Sequence, residues 1–145
     1  MSVCLDSWAV LAWLDGEQPA VQRVEQEIDA RPMISWINLV EVYYGLDRDH
    51  GRATADETLT ELRAKLSPDL PGTARMLEAA RMKARASIAL ADCFAAATAA
   101  AHGLVLLTGD PGLLDLGRTP MRDGGPAPTL ISPADRADHE YSSGS

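Results

Sequence analysis

The segment Leu104-Val105-Leu106-Leu107 constrains this chain more than any other. Four consecutive apolar residues, bounded by Gly103 on one side and Thr108-Gly109-Asp110-Pro111 on the other, describe a strand covered on both faces. A half-exposed strand would alternate apolar with polar residues. Short runs of the same kind occur at Val3-Cys4-Leu5 and at Pro32-Met33-Ile34-Ser35, and a last strand is predicted at Thr129 to Ser132. Strands buried on both faces need a helical layer on each side, so the fold class is α/β with a central parallel sheet of four or five strands.

The intervening segments supply those layers. Trp8, Val10, Leu11, Trp13 and Leu14 recur at helical spacing until Asp15-Gly16. Pro19 to Ala30 places Val21, Val24 and Ile28 on one face and Gln22, Glu25, Gln26 and Asp29 on the other. Trp36 to Asp49 is a mostly apolar helix, and Arg52 to Lys65 carries the stripe completed by Leu59, Leu62 and Leu66. Ser67 to Gly72 breaks the pattern and leaves room only for a brief strand. Thr73 to Arg85 is predicted helical with Met76, Leu77, Ala80 and Ala84 inward, followed by an Ala-rich helix from Ser87 to His102. Arg118 to Pro128 reads as a Gly/Pro loop, and the polar residues 133–145 as a mobile tail. One domain over residues 1–132 is expected, which suits a chain of 145 residues with 46% hydrophobic content.

Composition removes several classes of function. Cys4 and Cys93 lie in apolar runs, where a thiol behaves as a small hydrophobe, so neither a disulfide scaffold nor a zinc site is expected. A cytoplasmic location is expected from cysteines read as free thiols and from a first segment without a basic n-region or small-residue cleavage site. No apolar run approaches the ~18 residues that a membrane span requires. The charge, 13 Lys and Arg against 21 Asp and Glu for a net −8, is the opposite of a simple nucleic-acid clamp.

The location of the acids changes that inference. Asp6 follows the first strand directly, and Asp110 follows Leu104–Leu107 after two residues. Glu41 stands within Trp36-Ile37-Asn38-Leu39-Val40-Glu41-Val42-Tyr43-Tyr44, and Asp92 within Ile88-Ala89-Leu90-Ala91-Asp92-Cys93-Phe94-Ala95-Ala96. Asp6 also reads as a helix N-cap and Asp110 as a turn residue; Glu41 and Asp92 have no such alternative and no basic neighbour. A buried carboxylate without a partner takes up a proton or demands compensation. A hard divalent cation, Mg²⁺ or Mn²⁺, is the compensator that suits an all-oxygen set. Two of the acids end parallel strands, where α/β sheets open their ligand crevice.

These blocks resemble a known family. Leu5-Asp6-Ser7 with Ala9, Asn38-Leu39-Val40-Glu41-Val42, Ser87 to Asp92 with Ala96-Ala97-Thr98-Ala99, and Leu106-Leu107-Thr108-Gly109-Asp110-Pro111 look like the successive acidic blocks of PIN-domain ribonucleases. The likeness is to the VapC-type toxins of bacterial type II toxin–antitoxin systems, from about residue 3 to 132. It implies a three-layer α/β/α PIN-like fold and a metal-dependent endoribonuclease. Asp6, Glu41, Asp92 and Asp110 would be the catalytic and Mg²⁺- or Mn²⁺-binding acids, and Ser7 and Thr108 supporting hydroxyls. It also implies an RNA substrate, a homodimer, and a cognate antitoxin whose helix enters an apolar groove, for which Trp8, Leu11, Val40 and Tyr44 are candidates. Three positions depart from the family pattern: Gly112 where a further acid is frequent, Leu113 where an aromatic is, and Trp8 where a small residue is.

From Arg63 to Arg85 six basic residues face two acids, the one local positive excess, and within it Arg81 and Arg85 share a helix face suited to RNA phosphates. Tyr43 is expected in the core. The histidines are scattered, and no nucleophile elbow or phosphate-cradling glycine loop is present. A catalytically silent PIN-like module that binds RNA or protein is the alternative reading. A phosphatase or receiver-like α/β domain using Asp6 as a phospho-acceptor is a third, and the chain lacks the matching lysine after a late strand.

Overall fold

A computed structural model of the chain describes residues 3–118 and the strand at 130–131. Five strands, β1 (Val3–Leu5), β2 (Met33–Ser35), β3 (Ser67–Asp69), β4 (Val105–Leu107) and β5 (Leu130–Ile131), form one sheet in the order β3-β2-β1-β4-β5. Every neighbouring pair is parallel. The connecting helices are α1 (Ser7–Leu14), α2 (Ala20–Glu27), α3 (Trp36–His50), α4 (Arg52–Lys65), α5 (Thr73–Arg85), α6 (Leu90–Ala101) and α7 (Pro111–Arg118). A 3-10 turn at Ile28–Ala30 extends α2.

Alternation along each strand explains the all-apolar runs, because successive side chains point to opposite faces. Val3 and Leu5 enter one core with Val10, Val24, Leu39, Val42 and Leu62 from α1 to α4. Cys4 and Leu106 enter a second core with Ala79, Met82, Phe94, Ala95 and Leu113 from α5, α6 and α7. The fold is therefore α/β with three layers, as the sequence implied. Both cysteines are buried and free. No described helix is long and apolar enough to cross a membrane.

Four local expectations need correction. In α5, Met76 and Leu77 are 47% and 49% exposed, and Ala79 and Met82 are the buried positions. The Arg75 guanidinium reaches Asp69 on β3 at 2.7 Å, which turns the 75/79/82 stripe toward the sheet instead. The α6 helix begins at Leu90 rather than Ser87; Ile88 is buried, and its carbonyl accepts from Lys83 Nζ at 2.7 Å. Pro111–Arg118 is a helix where a turn was expected, since Asp110-Pro111 is an N-cap followed by a proline in the first helical position. Tyr43 is half-buried at the α3–α4 junction, with its hydroxyl donating to Asp56 at 2.6 Å. The loop expected at 119–128 and the tail expected from 133 lie outside the described residues.

Candidate active site

The sheet order makes the boundary between β1 and β4 the point where the chain changes direction across the sheet, β2 and β3 being added on one side and β5 on the other. Crevices in open α/β sheets form there, beyond the carboxyl ends of the strands. Asp6 leaves β1 at that edge and Thr108 leaves β4. The pairing Val3↔Val105, Cys4↔Leu106, Leu5↔Leu107 makes Asp6 and Thr108 the next positions in register. Their side chains meet: the Thr108 hydroxyl donates to Asp6 Oδ2, and Thr108 Oγ1 accepts from the Asp110 N–H at 3.0 Å. Asp6 Oδ1 accepts from the Ala9 N–H at 2.8 Å, capping α1, and Asp110 Oδ1 accepts from the Leu113 N–H at 3.0 Å, capping α7. The N-cap reading and the site reading of Asp6 are both satisfied by one carboxylate.

The helical acids come to the same edge. Glu41 lies in the second turn of α3, and its Oε1 accepts from the Ser7 hydroxyl at 2.5 Å. Asp92 lies in the first turn of α6. Asp6 is 1% exposed, and burial pushes its carboxyl up to about 7, with the charges of Asp92 and Asp110 adding to the rise and the Thr108 and Ala9 hydrogen bonds opposing it. Asp92 is raised to about 6 by burial and by the charges of Asp110 and Glu41. Asp6, Glu41, Asp92 and Asp110 thus share one electrostatic environment. Among the described residues, no lysine or arginine forms an ion pair with any of the four.

The donor chemistry fits a hard divalent cation. All four groups are carboxylates, and every oxygen that accepts one hydrogen bond keeps a further lone pair. Among the described residues, no three His, Cys, Asp or Glu side chains already stand in coordinating positions about one point. Fit therefore rests on the donor set and on the lack of a basic ion-pair partner for it among the described residues.

The sequence matches the PIN domain family over residues 3–118. The chain belongs to the PIN domain family. Solved structures with the same fold include VapBC2 from Rickettsia felis bound to a DNA fragment from its promoter, with TM-score 0.71 and 16% identity over 91% of this chain and 98% of that one. DNA-bound VapBC from Salmonella typhimurium gives TM-score 0.68 and 16% identity over 92% and 99%. VapC20 of Mycobacterium tuberculosis, described as a sarcin-ricin loop cleaving toxin, gives 0.59 and 15% over 72% and 87%. Comparison with curated proteins returns no match.

Two sets of contacts in this PIN domain were not legible in the sequence. The first concerns Trp8, 36% exposed, whose ring lies over Gly109 so closely that a Cβ there would stand 2.3 Å from it. The ring of Trp8 thereby covers the turn that carries Thr108 and Asp110, which only a glycine at 109 permits. Gly109→Ala should force the ring away, lower the melting temperature and loosen that turn. An unchanged thermal melt would contradict this packing. Gly112 has a related function: a Cβ there would lie 3.2 Å from Asp110 Oδ1, so its absence leaves space for the capping carboxylate. The second is Asn38, fully buried between Ser7 and Ala91. Arg81 and Arg85 are exposed on the last turns of α5, and Arg85 Nη1 donates to the Arg81 carbonyl at 2.9 Å. Asp115 is exposed on α7.

Proposed function

We propose that the chain is a divalent-metal-dependent endoribonuclease acting as the toxin of a type II toxin–antitoxin pair. The observation that carries this reading is the gathering of Asp6, Glu41, Asp92 and Asp110 at the β1–β4 edge, with two of their carboxyls raised and no basic ion-pair partner among the described residues. Membership of the PIN domain family supports nuclease chemistry, and likeness to VapBC complexes and to a sarcin-ricin loop cleaving toxin supports the toxin role and an RNA substrate.

A Mg²⁺ or Mn²⁺ ion held by the four carboxylates would supply positive charge to a phosphodiester and a water of lowered pKa. The protein's own contribution is orientation. Thr108 fixes one Asp6 oxygen and the Asp110 backbone together, and Ser7 fixes one oxygen of Glu41. Asp92, half-buried in the first turn of α6, is the group assigned to orient the attacking water. One or two divalent ions would bring the formal −8 to −6 or −4 and turn a pocket that repels phosphate into one that attracts it. RNA binding is then metal-dependent, which reconciles an acidic chain with a nucleic-acid substrate.

Arg81 and Arg85 are proposed to meet RNA phosphates beside the entrance to α6. Changing both to alanine should weaken binding and flatten its salt dependence; an unaltered salt slope would remove them from the interface. The exposed apolar side chains Trp8, Val40 and Tyr44 and the half-buried Leu11 are the surface proposed for the antitoxin helix, and a homodimer is the proposed assembly. Calorimetric titration with Mn²⁺ tests the site. Heat that saturates, and that disappears in Asp92→Asn, is expected. No heat from the unaltered chain would favour a silent binding module.

A further inference from the structure

Asn38 has no part in the steps above, yet it links both helical acids. It is 0% exposed on α3, one turn before Glu41. Its Nδ2 donates to Ser7 Oγ at 3.1 Å and to the Ala91 carbonyl, next to Asp92, at 3.2 Å. Hydrogen count fixes this orientation of the amide. A serine hydroxyl has one hydrogen, and that of Ser7 goes to Glu41 Oε1 at 2.5 Å, with the Asn38 backbone carbonyl further off at 3.3 Å. Ser7 Oγ can therefore only accept from the Asn38 side chain, and a carbonyl at Ala91 requires a donor as well. Both Nδ2 hydrogens are committed, which leaves Asn38 Oδ1 buried with no partner.

That orphaned oxygen is informative. An apolar side chain of similar size would fill the same space without burying an unpaired acceptor, so packing does not account for an asparagine here. What asparagine alone supplies is a two-pronged donor. One prong sets the hydroxyl that holds Glu41; the other ties α3 to the first turn of α6. We infer that Asn38 is a positioning residue that sets Glu41 and Asp92 against each other, and thereby holds the two helix-borne acids in register with Asp6 and Asp110. This inference rests on the metal-site reading given above.

The effect of removing the side chain can be separated from a folding defect. The Ala91 carbonyl lies inside α6, where it accepts the ordinary helix hydrogen bond, and Ser7 still donates to Glu41. Asn38→Leu therefore strands no group and removes the orphaned one. The test uses the full chain: Mn²⁺ affinity by calorimetry, melting temperature in chelator, and cleavage of RNA, for the unaltered protein, Asn38→Leu, Asn38→Ala, Ser7→Ala and Ser7→Ala with Asn38→Leu. Loss of about 10- to 100-fold in Mn²⁺ affinity is expected for Asn38→Leu, the range for groups that orient metal ligands, with the metal-free melt held or raised. The loss should be smaller in the Ser7→Ala background, because part of the action runs through that hydroxyl. Full Mn²⁺ affinity in both Asn38→Leu and Asn38→Ala overturns the inference while leaving the metal site intact. A loss of equal factor with and without Ser7 overturns the relay. Absence of Mn²⁺ heat from the unaltered chain overturns the metal reading and this inference together.

Discussion

Asp6→Asn is expected to abolish RNA cleavage, by more than about 100-fold, while making the metal-free protein more stable above pH 7. The two effects have one cause. Asp6 is buried, and its carboxyl is pushed up to about 7, so holding it ionised costs folding free energy of the order of a few kcal/mol. Asparagine keeps an oxygen for the Ala9 cap and presents an amide to Thr108 Oγ1 in place of an acceptor. It removes the charge and keeps the shape. A melting temperature raised by about 5–10 °C in chelator at pH 8, measured by circular dichroism, is the expected sign. A melt lowered by as much would mean that the ionised carboxylate is stabilising the fold, and would contradict the electrostatic description of the site.

The second large effect is on pH. Asp6 and Asp92 bind protons more tightly folded than unfolded, their carboxyls lying near 7 and near 6. The stability they contribute is complete below the ordinary carboxylate range near pH 4 and is lost as pH rises through 6 and 7. Metal-free protein should therefore become less stable between pH 4 and pH 7 and level off above. Mn²⁺ binds the ionised groups, so its affinity should move the opposite way, rising about 100-fold between pH 5.5 and pH 7.5. Ordinary carboxylates finish titrating below that interval and would give an almost flat response. Calorimetry across the interval separates the two outcomes, and in Asp6→Asn the remaining rise should follow Asp92 alone.

The layers of the fold were legible because they depend on local patterns. Unbroken apolar runs such as Leu104–Leu107 require two covered faces, and the residues of β1 divide between the two cores as that predicts. Patterns that depend on partners were less legible. Nothing within α5 says that Arg75 will pair with Asp69 and rotate Met76 and Leu77 outward. Asp110-Pro111 serves a turn and a helix start equally well, and the apolar Leu113 that anchors α7 is only two residues further on.

The four acids stood out through their apolar surroundings, a one-dimensional signal. Their convergence is a property of topology: Asp6 and Thr108 meet because β1 and β4 are paired in register across about two thirds of the chain. Asn38 gave no comparable signal, since an amide in an apolar helix carries no charge to explain. Trp8 opposite Gly109 was visible only as an odd residue in a family pattern, and the structure accounts for it by the missing Cβ across the crevice.

Asp6, Glu41, Asp92 and Asp110 are proposed to form a cation-dependent ribonuclease centre. The most direct measurement is cleavage of RNA by the purified chain with Mn²⁺, with Mg²⁺ and with excess chelator, alongside Asp92→Asn prepared identically, with the new RNA 5′ ends mapped. Cleavage at defined sites with either cation, absent in chelator and absent in Asp92→Asn, is the predicted result. Cleavage that persists in chelator, or that Asp92→Asn retains in full, would contradict the account.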